Sequence, residues 1–349
     1  MARIRVLVVD DSSVARKILG DTIAGDAAFE LVGSAADGRL ALEQIERLHP
    51  DIVTLDIEMP NMDGLTALPL LRKLVPQARI VMASTLTSAG AQQTVKALSL
   101  GAADFIAKPQ ASAMGGVDSY RRDLIEKIIA LGPRLARTPS TPAPSAPLRP
   151  RSMQMGNPSI MVVAASTGGP GALPVFLGPI ARRIDAPILI VQHMPATFTP
   201  VFAEKIESAI GKRCREAVDG DVLAPGCVYL APGDYHMRIA RSPAGRIVTL
   251  DKTPPVNFCR PAADPLFESA AAAFGNRVLA VVLTGMGHDG RDGAGHIVKA
   301  GGRVLVQDEA SSVGGGMPGA VAQAGLAEAI KPLSDLGATA LRMMNGEAA

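Results

Sequence analysis

The feature that most constrains this chain is one strand–helix grammar stated twice, on either side of a proline-rich break. In the first half RIRVLVVD (3–10), DIVTLD (51–56), RIVMAS (79–84) and ADFIAK (103–108) read as the first, third, fourth and fifth strands, and residues 13–25, 38–48, 65–74, 89–100 and 118–132 as helices. In the second half SIMVVAAS (159–166), APILIVQH (186–193), VLAVVLTG (278–285) and GRVLVQD (302–308) read as strands, with helical patterns at 198–210, 265–274 and 317–324. A strand that is an unbroken apolar run is covered on both faces, so each half predicts a parallel sheet between helical layers. CVYLAP, HMRIA and RIVTL, between 227 and 250, are closely spaced and more polar, and are expected to be antiparallel excursions. The predicted fold class is α/β, with two doubly wound, mostly parallel-sheet domains.

The break is TPSTPAPSAPLRP, residues 138–150, with five prolines and little apolar bulk. It cannot pack a core and is expected to act as an extended spacer. Its PxxP match at Pro139–Pro142 is the sequence of an SH3-type ligand, but a spacer needs no such partner. A length of 349 residues suits two domains of roughly 100–200 residues each. The predicted boundaries are 1–125, a helix end and linker over 126–156, and 157–349.

Charge and cysteine usage exclude several classes. Residues 1–136 carry 15 Lys/Arg against 16 Asp/Glu, residues 157–349 carry 17 of each, and Arg137, Arg149 and Arg151 hold the excess. Two near-neutral bodies, no basic recognition helix and no tryptophan argue against nucleic-acid binding. No apolar run reaches the ~18 residues of a membrane span. Asp10 and Asp11 cut short the apolar run of MARIRVLVVDDSS, so no signal peptide is expected. Cys214, Cys227 and Cys259 lack metal-ligand or CxxC spacing, which points to reduced thiols and a cytoplasmic protein.

In the first half, chemistry gathers at strand ends. Asp10 and Asp11 come after the first strand and Asp56 after the third, Ser84 ends the fourth, and Lys108 ends the fifth. Ligands bind at the carboxyl ends of an open parallel sheet. Acids gathered there repel unless a cation intervenes, and Mg²⁺ suits carboxylates. An aspartate, a metal, a lysine and a hydroxyl together make a phosphoryl-acceptor site. Singly, Asp56 and Lys108 read as surface charges at loop starts.

VLVVDDSS, LDIEMPNMDGL, MAST and DFIAKP resemble the receiver domain of two-component response regulators, over about 1–125, with the flavodoxin-like fold. The resemblance implies phosphorylation at Asp56. It implies Mg²⁺ held by Asp10, Asp11, Asp56 and the Glu58 carbonyl, Ser84 and Phe105 as switch positions, and Lys108 on the phosphate.

In the second half, Ser166 follows a strand and precedes Thr167-Gly168-Gly169-Pro170, a turn able to expose its hydroxyl near helix N–H groups. His193 ends the next strand and Asp289 follows another. Singly they read as a helix cap, a structural hydrogen-bonder and a turn residue. Together, on strand ends of one sheet, they supply nucleophile, base and base-orienter. A rival reading is open: Gly285-Met-Gly287-His-Asp-Gly290 is a GxGxxG after a strand, with Asp308 about twenty residues on, the fingerprint of a dinucleotide-binding oxidoreductase. A non-enzymatic output module is a further alternative.

AASTGGP, VQHMPATFTPVFAEKI, VYLAPGDYHM, PPVNFCRPAAD, LTGMGHDGRDGA and GMPGAV resemble, in order, the CheB family of chemotaxis protein-glutamate methylesterases and glutamine deamidases, over about 158–335. The resemblance implies a Rossmann-like α/β/α catalytic domain. Ser166 is then the nucleophile, His193 the base and Asp289 its partner, with Thr167 and Met286 lining the site and no cofactor in this domain. Ala164 and Gly314-Gly315 depart from the family's pattern, and His288 stands at a variable position. The implied partners are methyl-accepting chemoreceptors as substrate and a histidine kinase as phosphodonor, with no membrane insertion. The receiver is expected to restrain the hydrolase until Asp56 is phosphorylated.

Overall fold

A computed structural model describes residues 3–108, 116–133 and 157–349. The chain divides into two compact units, one within residues 1–140 and the other within 141–349. The proline-rich segment 138–150 and its PxxP lie outside the described residues.

The first unit alternates strands and helices without exception: β1 (Ile4–Val9), α1 (Ser13–Ala24), β2 (Phe29–Ala35), α2 (Gly38–Leu48), β3 (Ile52–Asp56), α3 (Gly64–Leu74), β4 (Arg79–Ser84), α4 (Ser88–Ser99), β5 (Asp104–Ala107) and α5 (Gly116–Leu131). Every strand pairing is parallel, in the order β2-β1-β3-β4-β5. β3 is buried along its whole length, including Thr54 and Asp56 among its apolar residues. β2 is half exposed at the sheet edge, so its sequence carries no such run. Ser12, Asp37, Asp63 and Thr87 each accept the N–H three residues on, and these side-chain caps start α1 to α4. α5 continues past residue 125 to Leu131 as one helix.

The second unit contains β6 (Ile160–Ala165), α6 (Gly169–Leu177), β7 (Ile188–Gln192), α7 (Thr199–Ile210), β8 (Cys214–Glu216), β9 (Val228–Leu230), β10 (His236–Ser242), β11 (Gly245–Asp251), α8 (Ala263–Phe274), β12 (Val278–Val282), α9 (Arg291–Lys299), β13 (Arg303–Gln307), α10 (Gly316–Gln323), β14 (Ala329–Lys331) and α11 (Leu333–Met344). Seven strands form one sheet, β14-β13-β12-β6-β7-β9-β8, parallel throughout.

CVYLAP, expected as an antiparallel excursion, is instead part of the parallel sheet. Val228–Leu230 are fully buried and run parallel to Ile188–Ile190 inside the main sheet. Only HMRIA and RIVTL form an antiparallel pair, the separate β10–β11 hairpin that rests on α8. All three residues of β9 are buried, and it takes its place in the parallel layer between β7 and β8.

Helices of the second unit start differently from those of the first. None of α6 to α11 has a side-chain hydrogen bond from its own N-cap residue. Gly168 (φ +80) and Gly290 (φ +87) lead into α6 and α9 in left-handed backbone, which glycine adopts at no steric cost. These helix starts flank the carboxyl ends of the strands, where strand order reverses about β6.

Candidate active site and receiver cleft

In the first unit the order β2-β1-β3 places the switch point between β1 and β3. Asp10 and Asp56 emerge there, both buried. Lys108 Nζ lies 2.8 Å from Asp10 Oδ2 and 2.7 Å from Asp56 Oδ2, bridging the two acids. Their other oxygens accept backbone N–H groups, Asp10 Oδ1 from Ser12 (2.9 Å) and Asp56 Oδ1 from Ile57 (2.8 Å). Burial raises the Asp56 pKa above the usual carboxylate range, against the lowering effect of Lys108. Burial also opposes the Lys108 charge, but its two aspartates outweigh that and raise its pKa.

Carboxylate oxygens of Asp10, Asp11 and Asp56 lie within 4.8 Å of one another. This all-oxygen donor set fits a hard cation such as Mg²⁺. Asp11, Asp56, Glu58, Ser84 and Lys108 line a common cleft of about 260 Å³. Ser84 Oγ points at the Thr85 and Gly90 carbonyls (3.3 and 3.2 Å) rather than at Asp56. Phe105 is buried outside that lining, with Lys127 Nζ 5.7 Å from its ring centre. Thr85 and Gln93 also line the cleft, and sequence reasoning did not select them. Nor did it select Tyr120 of α5, whose phenol pKa is raised by burial and by the charges of Asp10 and Asp56.

In the second unit Ser166, His193 and Asp289 follow β6, β7 and β12, three adjacent strands. Ala165 pairs with Gln192, so Ser166 and His193 leave the sheet side by side. His193 Nε2 is 2.7 Å from Asp289 Oδ2. Asp289 Oδ2 also accepts the Ala263 N–H (2.6 Å), and Oδ1 accepts from Asp264 N (3.1 Å) and Asn257 Nδ2 (3.2 Å). Burial alone would raise its pKa, but His193 and the two α8 N–H groups outweigh burial and draw it down to about 2. Burial opposes the imidazolium, yet the adjacent Cys259 sulfur and Asp289 carboxylate raise the His193 pKa above its ordinary value. Burial, assisted by repulsion from Asp289, pushes neighbouring Asp264 up to about 6.

His193 Nδ1 faces Cys259 Sγ at 3.3 Å, and no hydrogen bond joins it to Ser166 Oγ among the described residues. Gln192 Nε2 donates to the carbonyls of both Ser166 (3.0 Å) and His193 (3.2 Å), bracing the two strand ends. The Thr284 hydroxyl donates to Thr167 O (2.9 Å) and accepts Gly314 N–H (2.9 Å), tying the α6 and α10 approaches together. Thr167 is buried and Met286 half-buried, while His288 is exposed. Gln192, Asn257 and Cys259 were not selected from sequence. They sit inside the quoted segments APILIVQH and PPVNFCRPAAD, but their hydrogen bonds are tertiary.

The glycines of GMGHDG have work that involves no nucleotide. A Cβ on Gly285 would meet Met317 Sδ at 2.3 Å and Ser166 Cβ at 2.9 Å, so Gly285 allows these side chains to close together. Gly287 (φ +73) and Gly290 (φ +87) turn the chain so that Asp289 faces His193.

Fold and clefts together define a class, a response-regulator receiver followed by an α/β hydrolase unit. Residues 6–114 match the response regulator receiver domain family, and residues 161–340 match the CheB methylesterase family. The chain is 45% identical to the protein-glutamate methylesterase/protein-glutamine glutaminase of Maricaulis maris, over 98% of this chain and 96% of that one. It is 51% identical to protein-glutamate methylesterase/protein-glutamine glutaminase 2 of Caulobacter vibrioides, over 95% and 96%. The solved catalytic domain of the Thermotoga maritima CheB methylesterase overlays with a TM-score of 0.52 at 35% identity, covering 54% of this chain and 99% of that domain. The chain belongs to the CheB methylesterase family. Nothing in these comparisons supports the oxidoreductase alternative.

Proposed function

We propose that the protein is a phosphorylation-controlled hydrolase that demethylates glutamate methyl esters and deamidates glutamines on chemoreceptors, for adaptation in bacterial chemotaxis. The observation that carries this reading is the grouping of Ser166, His193 and Asp289 at the switch point of the seven-stranded sheet, with the His193–Asp289 bond at 2.7 Å. The division into receiver (1–125), connecting segment (126–156) and catalytic domain (157–349) is part of the proposal.

With Nε2 donating to Asp289, the lone pair of His193 is on Nδ1, and this nitrogen is the base. Ser166 Oγ attacks the side-chain carbonyl of the methylated glutamate and gives its proton to Nδ1, displacing the Cys259 contact. The Gly169, Gly171 and Ala172 N–H groups are taken by the Ser166 and Gly168 carbonyls, so the donors for the developing oxyanion are the N–H groups of the Thr167–Gly168 turn before α6, an interaction worth about 10²–10³ in rate. His193 returns the proton to the leaving methanol. Water, activated in the same way, then hydrolyses the acyl-serine to glutamate. With glutamine, ammonia leaves instead of methanol. Thr167 and Met286 line the acyl site.

In the receiver, Asp56 accepts a phosphoryl group from a histidine kinase, and Lys108 neutralises one of its oxygens. Asp10, Asp11, Asp56 and the Glu58 carbonyl would hold Mg²⁺, which supplies further charge neutralisation there. Phosphorylation adds about −1.5 to −2 charge beside Ser84, enough to draw its hydroxyl from Gly90 O and alter the α4 start, with Phe105 as the second switch position. Among the described residues no helix is long and apolar enough to cross a membrane. The reading assigns the protein to the cytoplasm, where the phosphodonor and receptor methylation sites are reached.

The test is methanol release from membranes carrying methyl-esterified chemoreceptor, with and without acetyl phosphate. Methanol release that rises with acetyl phosphate is expected. No methanol from either sample overturns the reading.

A further inference from the structure

Phe258 is the most exposed large apolar side chain among the described residues, at 91%. It stands at the tip of a two-residue turn. Val256 and Cys259 exchange both backbone hydrogen bonds (3.1 and 2.9 Å), and the central residues Asn257 (φ +51) and Phe258 (φ +63) are both left-handed. Such a turn prefers Asn-Gly. Asparagine is in its usual place, but a bulky aromatic occupies the glycine position, where its Cβ strains the backbone.

The turn is fastened on every side. Asn257 Nδ2 bridges Asp264 Oδ2 (2.9 Å) and Asp289 Oδ1 (3.2 Å). Cys259 Sγ meets His193 Nδ1 at 3.3 Å. Buried His236 accepts the Ala262 N–H at Nδ1 (3.3 Å) and donates from Nε2 to Pro254 O (3.2 Å), holding both ends of the segment. Arg260 forks onto Asp234 Oδ1 and also donates to the carbonyls of Lys252 and Thr253.

An aromatic ring is therefore held out in water, in strained backbone, one residue from the side chain that touches His193. It contributes no burial to the fold. Its place at the rim of the candidate active site matches a contact made only when substrate arrives. We propose that Phe258 is a specificity-determining residue that packs into the groove between side-chain rows of the substrate helix, beside the glutamyl ester delivered to Ser166. The inference rests on the function proposed above and adds what separates a protein helix from a small ester. Grooves between i, i+3 and i+4 rows are features that any α-helix presents. A rigid aromatic fills one at low entropic cost.

The test uses the full chain as wild type, Phe258→Ala and Phe258→Gly, on two substrates: membranes carrying methyl-esterified chemoreceptor, and p-nitrophenyl acetate. Both variants are expected to raise KM for the receptor about tenfold, with p-nitrophenyl acetate hydrolysis unchanged. Phe258→Gly should also raise Tm, because glycine relieves the left-handed strain. Recognition and stability then move in opposite directions, which a structural role for the ring would not produce. An unchanged receptor KM overturns the proposal. So does an equal loss on both substrates, which would mean that the ring shapes the catalytic groups. Wild type inactive on the receptor overturns the function reading and this inference with it; wild type active with variants equal to it overturns this inference alone.

Discussion

Asp289 holds His193 through a 2.7 Å bond, and the same carboxylate caps α8 through the Ala263 and Asp264 N–H groups. Ala262, the N-cap residue of α8, makes no side-chain cap of its own. One aspartate therefore orients the imidazole and closes a helix, so in the proposed mechanism a catalytic and a folding contribution meet in a single side chain.

Only neutral His193 can take a proton, and its pKa is raised above the ordinary 6.5 by Cys259 and Asp289 against burial. Receptor kcat/KM should therefore rise with pH through a midpoint above 6.5. Asp289→Asn should move that midpoint down and lower kcat roughly 10²–10⁴-fold. Stability follows by linkage. His193, with its raised pKa, stabilises fully below 6.5 and loses this as pH rises through its folded value. Asp289, depressed to about 2, stabilises above 3.8 and loses this as pH falls toward its folded value. The Tm difference between wild type and Asp289→Asn should be largest between these limits, measured by calorimetry across pH.

Asp289→Ala should cost more than activity. It strips acceptors from two helix N–H groups and from Asn257, and a loss of about 1–2 kcal/mol is expected from the missing cap. Urea unfolding measures it. A variant as stable as wild type would show that α8 needs no cap from this side chain.

How much of this was legible beforehand depended on which forces were local. β6 and β12 announce themselves because burial on both faces demands unbroken apolar runs, and β1 and β3 because theirs are interrupted only by Arg5, by Thr54 and by the terminal Asp56. Edge strand β2 and the three-residue strands β8 and β14 carry no such signal, and β9, expected to be antiparallel, runs parallel. Strand-end Ser166, His193 and Asp289 are readable by position, since parallel sheets gather ligands at that edge. Gln192, Asn257 and Cys259 are not. Their roles exist only once distant backbone segments meet, and no periodicity encodes a hydrogen bond between residues 66 apart, as in Cys259–His193.

The start of α6 offers a matched pair of glycines. A Cβ on Gly169 would lie 2.0 Å from Gln192 Oε1, whereas one on Gly171 meets nothing within 4 Å. Gly169→Ala should displace Gln192, loosen the bracing of Ser166 and His193, and lower both kcat and Tm. Gly171→Ala should keep activity and gain about 0.5–1 kcal/mol from better helix propensity. Equal behaviour of the two variants would remove Gln192 as a brace.

For the receiver, acetyl phosphate with Mg²⁺ should stimulate methanol release by the wild type. Asp56→Asn should retain basal release and lose the stimulation, and chelating Mg²⁺ should do the same to the wild type. Stimulation surviving in Asp56→Asn would place the phosphoryl acceptor elsewhere.

Ser166 is the proposed nucleophile, and Cys259 is its natural rival because its sulfur already sits on His193 Nδ1. The direct measurement is methanol release from methyl-esterified receptor membranes by Ser166→Ala and Cys259→Ala side by side. Turnover should fall by at least about 10³-fold in Ser166→Ala and largely survive in Cys259→Ala. Substantial turnover by Ser166→Ala together with loss in Cys259→Ala would contradict Ser166 as the nucleophile.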